Sequence, residues 1–160
     1  MADPVGDIIG DYRAFAAQQH DRLLARGIDI RPYLLSHLAV RVPEWDQYVH
    51  LRNLLERHAT ANSENVWNGR PISIIVLATP LEVIDGMSVP LIELIPPVHQ
   101  RVYRMGLEHL GVIVGEDVDA FSREHRAVLT GQQFQSAGFE PYYVLFEDFT
   151  HVKFYRISLY

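Results

Sequence analysis

A chain of 160 residues with 48% hydrophobic content has the material for one compact, well-filled domain and does not read as a disordered segment. Its 20 acidic against 14 basic residues, a formal charge of −6, argue against a nucleic-acid surface, although a few local basic side chains could still hold a small anion. The absence of cysteine removes disulfides, thiolate metal sites, iron–sulfur clusters and thiol catalysis.

The opening MADPVGDIIGDYRAF lacks a basic segment ahead of an apolar core, so no signal peptide is read there. No apolar run approaches the ~18 residues of a membrane span, and a cytoplasmic protein without a membrane partner is expected. Asp3-Pro4 reads as an N-cap with proline at the first helical position. Val5, Ile8, Ile9, Tyr12, Phe15, Ala16, Leu23 and Leu24 then predict one helix running to Gly27, within an N-terminal segment 1–30. A strand is predicted from Leu35 to near Pro43. Trp45, Tyr48, Leu51, Leu54 and Leu55 mark an amphipathic helix over 44–58.

SENVWNGRPISIIVL predicts two strands joined at Asn68-Gly69, the pair favoured where both turn residues need φ > 0. VPLIELI, 89–95, is a further strand stopped by Pro96-Pro97. The span 31–97 therefore reads β-α-β-β-β. A linker over 96–106 carries Arg101, Tyr103 and Arg104. A strand over 107–114 follows, then a helix opening at Glu116 and Asp117 with Val118, Phe121, His125, Val128 and Leu129 on its apolar side. PYYVLF at 141–146 and HVKFYRI at 151–157 close the chain as strands. Between them and the helix, QQFQSAGF is the one candidate for a further strand. The second module, 106–160, is a shortened copy of the first. The fold class is α+β: paired βαβββ modules, the second abbreviated, with an extra N-terminal helix.

The two modules open alike, with SHLAVRV at 36–42 and EHLGVIV at 108–114. Alternation along a strand puts Leu38, Val40 and Val42 on one face and His37, Ala39 and Arg41 on the other. It likewise separates Leu110, Val112 and Val114 from His109, Gly111 and Ile113. If the apolar faces meet the helices, both imidazoles face a common concave side, with a small residue two positions after each. Glu93, amid LIELIPP, is costly to bury without a cation or hydrogen bonds. His37, Glu93 and His109 together would make a 2-His-1-carboxylate site for a divalent metal, with coordination positions left open.

Repeat symmetry places a fourth position on the last strand, where His151, Lys153 and Tyr155 share a face. Lys153 answers to Glu93. As an ammonium it cannot ligate a metal, but it could hold an anionic substrate or an oxyanion beside one. It could equally reach solvent from an edge strand, or pair with Glu93 in a metal-free pocket. Arg41, on the His37 face, is a candidate for binding a substrate carboxylate or for the rim of the site. His151 and Tyr155 are further substrate-binding candidates. His20, His50, His58, His99 and His125 fall on helices or in the linker and read as ordinary surface groups.

IDIRPYLLSHLAVR, SENVWNGRPISI, LIELIPP, GLEHLGVIV and THVKFY, in that order, resemble the vicinal oxygen chelate superfamily and, more narrowly, its YecM-like branch. That superfamily holds glyoxalases, methylmalonyl-CoA epimerase, extradiol dioxygenases and metal-free drug-binding proteins. The resemblance spans about 28–156. It implies a curved mixed sheet around a metal-binding cavity, with His37, Glu93 and His109 as ligands. Lys153 stands where many members carry a fourth, carboxylate ligand. It further implies a divalent metal, Fe²⁺ first and Mn²⁺, Ni²⁺, Co²⁺ or Zn²⁺ behind it. The expected function is that of an oxygenase, or of a redox-neutral isomerase, epimerase or lyase, acting on a small oxygenated, anionic, chelating substrate. A non-catalytic binding or resistance protein is the alternative. A homodimer is an arrangement common among such proteins.

Overall fold

The computed structural model describes residues 2–67, 70–97 and 105–160. The Asn68-Gly69 turn, His99, Arg101, Tyr103 and Arg104 lie outside the described residues. The N-terminal segment differs from the single helix expected: it forms α1 (Pro4–Ile9) and α2 (Tyr12–Ala25). Apolar spacing runs through both, but Gly10 adopts φ 100°, open to glycine at little cost, and Asp11 starts a new helix. The Asp11 carboxylate accepts from Ala14 N–H at 3.0 Å, as that of Asp3 does from Gly6 N–H.

The first module is β1 (Leu34–Arg41), α3 (Trp45–Glu56), β2 (Ala59–Trp67), β3 (Arg70–Ile84) and β4 (Met87–Ile95). The second is β5 (Gly106–Ile113), α4 (Val118–Glu124), β6 (Gly131–Gln132), β7 (Tyr142–Leu145) and β8 (His151–Tyr155). QQFQSAGF thus supplies only the end of a two-residue strand. Its remainder folds back on itself, with Phe139 N–H donating to Ser136 C=O at 2.9 Å. Its glycine and serine are poor strand formers.

The eight strands of the described residues form one curved mixed sheet in the order β2-β3-β4-β1-β5-β8-β7-β6. Each module contributes four strands in mirrored order. Its first and last strands pair in parallel (β1 with β4, β5 with β8), and β1 pairs antiparallel with β5 at the centre. One face carries Leu38, Val40, Ile92, Leu94, Leu110, Val112, Val152 and Phe154, which form one core with Phe15 and Leu23 of α2 and Tyr48 and Leu55 of α3. That leaves the opposite face of the four central strands to the polar residues. Among the described residues, no helix is long and apolar enough to cross a membrane.

Candidate metal centre

Two rows of cross-strand neighbours build the centre. Glu93, Ala39, His109 and His151 form one, on β4, β1, β5 and β8 in turn; Leu91, His37, Gly111 and Lys153 form the other. The small residues have a specific use. Ala39 separates Glu93 from His109 with only a methyl group, and Gly111 lies beneath the His37 ring. The small residue of each module therefore makes room for the histidine of the other.

His37 Nε2 lies 3.1 Å from His109 Nε2, and Glu93 Oε1 lies 3.2 Å from His109 Nε2 and 3.5 Å from His37 Nε2. Both imidazoles are buried, while the Glu93 side chain keeps 14% exposure. The donor spacing suits a common ion. With metal–ligand bonds near 2.1 Å, cis or tetrahedral donors are about 3.0–3.4 Å apart. The donor types, imidazole and carboxylate, are those that hold borderline divalent metals.

Both Nδ1 atoms face inward, onto side chains that strict alternation would send to the other face. The β1–β5 register skips Ser36 on β1 and Glu108 on β5, so each is the extra residue of a β-bulge immediately before a histidine. Ser36 Oγ meets His37 Nδ1 at 2.9 Å, and Glu108 Oε1 meets His109 Nδ1 at 3.1 Å. Neither residue was singled out by strand periodicity. The available signal was the repeated order polar–His at the head of both strands.

Burial, opposed by Glu93, lowers the His37 pKa to about 3, so this imidazole is neutral at physiological pH. Burial pushes the Glu93 carboxyl up, but its neighbours His109, His37 and Lys153 outweigh it and hold it at about 2. The Glu108 carboxyl is held well below the carboxylate range despite burial, through His109 and Arg41.

Lys153 is 8% exposed and shares the site face with His37 and Gly111. Among the described residues it makes neither a hydrogen bond nor a direct ion pair, and Glu93 pairs with the imidazoles instead. Burial lowers its pKa, with Glu93 and Glu108 opposing. Tyr155 is also buried, its ring 5.5 Å from that of His37. Its hydroxyl makes no hydrogen bond of good geometry, although the Gln135 side chain is near enough to act on it. His151 stacks on His109 with centroids 4.7 Å apart, and burial lowers its pKa to about 3. Arg41 is engaged within the protein: Nε donates to Glu108 Oε2 at 2.6 Å and Nη1 to Pro96 C=O at 3.3 Å.

Two of the remaining histidines depart from a surface role. His20, on α2, is 7% exposed with Nδ1 unpartnered, and His125 packs its ring 4.6 Å from Phe121. The α2 surface facing the sheet is wider than its apolar residues indicate and takes in Gln19 and His20.

The family model for YecM protein matches residues 5–149. Protein YecM of Escherichia coli (strain K12) is 25% identical over 136 residues, covering 85% of this chain and 72% of its own. The solved structural-genomics protein EC4020 has a TM-score of 0.74 at 25% identity, covering 98% of this chain and 90% of its own.

Proposed function

This chain belongs to the YecM family, and from that premise and the three donors gathered at the sheet centre we propose that it is a divalent-metal-dependent enzyme. Its substrate is a small, oxygenated, anionic molecule that chelates the metal. The carrying observation is the convergence of His37 Nε2, His109 Nε2 and Glu93 Oε1 within 3.1–3.5 Å of one another on the face left free by the helices. A metal held there supplies a Lewis acid with open coordination positions.

The chain's own groups do the rest. Lys153 brings a positive charge to the site without a partner to neutralise it directly, and so receives a carboxylate or a developing oxyanion. Tyr155 offers a phenol beside His37 to orient the ligand. Two neutral nitrogens and one carboxylate favour Fe²⁺ and an oxygenase reaction as the leading version. The lowered pKa of the buried Lys153 amine favours a second version. There it takes a proton from the substrate and returns it in a redox-neutral isomerisation or epimerisation, or passes it to the departing group in an elimination, with Mn²⁺, Ni²⁺, Co²⁺ or Zn²⁺.

The test is the metal content of untagged protein after reconstitution, beside His37→Ala and His109→Ala. About one equivalent in the parent, lost in both variants, is expected from a site with so few ligands. No stoichiometric metal in the parent would sink both enzyme readings and leave a non-catalytic binding protein. Oxygen uptake with Fe²⁺ across catechols, 2-oxo acids and hydroxy acids then separates oxygenase from isomerase.

A further inference from the structure

Glu108 is 5% exposed, and its two oxygens have different partners: Oε1 meets His109 Nδ1 and Oε2 accepts from Arg41 Nε. Arg41 is itself tied to the Pro96 carbonyl. Ionised carboxylates only accept hydrogen bonds, and His109 faces one at each nitrogen: Glu108 Oε1 at Nδ1 and Glu93 Oε1 at Nε2. The Nε2 atoms of His37 and His109, 3.1 Å apart, have room for one hydrogen between them. With that hydrogen on His37, whose Nδ1 accepts from the Ser36 hydroxyl, His109 carries its proton on Nδ1 toward Glu108 and keeps the lone pair on Nε2, the atom that looks toward His37 and Glu93.

We propose that Glu108, clamped by Arg41, is the positioning residue that fixes the His109 tautomer and ring orientation and so presents Nε2 as a metal donor. This rests on the metal-centre reading above. It also assigns Arg41 to support of the site rather than to contact with substrate.

Glu108, His109 and His151 also bring potential ligand atoms close together, which raises the question of a second cation. Three features argue for positioning instead. The Arg41 guanidinium already occupies Glu108 Oε2, and the positive charge of Lys153 acts on the same carboxylate. The His151 ring lies over His109 at an interplanar angle of 29°, so its in-plane lone pairs run alongside those of His109 rather than converging with them.

Imidazole ¹⁵N NMR of the metal-free full chain at about pH 8, above the ordinary histidine range, reads the tautomer directly. Titration with Zn²⁺ follows by calorimetry. The wild type should show His109 as the Nδ1–H form and bind one Zn²⁺. In Glu108→Gln the amide oxygen stays on Arg41 and its NH₂ turns to Nδ1, so the Nε2–H form should appear. Zn²⁺ affinity should then fall about 10–100-fold, the usual effect of losing such a partner.

An Nε2–H form in the wild type, an unchanged tautomer or affinity in Glu108→Gln, or two Zn²⁺ per chain would each overturn the proposal. The wild-type spectrum alone decides it if Glu108→Gln does not fold. A wild type that shows the Nδ1–H form but binds no Zn²⁺ would sink the metal-centre reading while leaving the role of Glu108 in orienting His109 intact.

Discussion

Gly111 and Lys153, neighbours across β5 and β8, test the centre from opposite directions. A Cβ on Gly111 would come within 2.5 Å of His37 Nδ1 and 3.0 Å of Nε2, and the imidazole is fully buried with no room to retreat. Gly111→Ala should cost about 1–3 kcal/mol of stability as an overpacked core substitution. It should also cost metal retention, because the His37 ring must turn. Thermal melts and metal analysis check both; a variant that keeps its metal would show that His37 does not need its present orientation. Lys153 behaves in the opposite sense. It is a buried charge without a direct partner, and replacing such a group by an apolar one of similar length is often neutral or stabilising. Lys153→Met should therefore keep or raise the melting temperature while losing affinity for anionic ligands. A lowered melting temperature would instead make Lys153 a structural member of the pocket.

The elements show which features strand periodicity could reveal. Alternation along β1, β5 and β8 separates the two faces of the sheet as the structure has them, because side-chain direction in a strand is a local property: His37, His109, Lys153 and Tyr155 all lie opposite Leu38, Leu110 and Phe154. Glu93 follows from the same rule on β4. The bulges at Ser36 and Glu108 do not, since a bulge is a mismatch between two strands and has no signature in either one alone. Missing it sends Glu108 to the wrong face and leaves Arg41 without its partner. The break at Gly10-Asp11 is written in the sequence but masked by apolar spacing that continues across it. Element lengths also set local stability. The central strands β1, β4 and β5 are eight or nine residues long and have a partner strand on each side, whereas β6 has two residues at the sheet edge. Hydrogen exchange should accordingly be slowest in β1, β4 and β5 and fastest in β6 and the segment after it. Equal protection of β6 would mean that its edge is covered in solution.

At the scale of the whole molecule, joining two modules at an antiparallel β1–β5 seam puts the buried titratable groups at the centre of the sheet, where acid must act against the entire fold. His37 and His151 have folded pKa values of about 3 against an ordinary 6.5, both chiefly through burial. Between those values the unfolded chain binds a proton at each position and the folded chain does not. Their stabilising effect is therefore complete above about pH 6.5 and is lost as the pH falls toward 3, at up to about 1.4 kcal/mol per pH unit for each group. Glu93, at about 2 against 4.5, acts in the same direction at lower pH: its contribution is present above 4.5 and disappears toward 2. Urea midpoints of the metal-free protein should be level above neutrality, fall from about pH 6.5 downward, and steepen below about 4.5. Added Zn²⁺ should raise the midpoint strongly near neutrality and far less in acid, because ligation by His37, His109 and Glu93 requires their deprotonated forms. A midpoint level down to pH 5 without metal would contradict neutral, buried imidazoles at the seam. A metal-dependent rise that persisted unchanged at pH 5 would place the ion on other ligands.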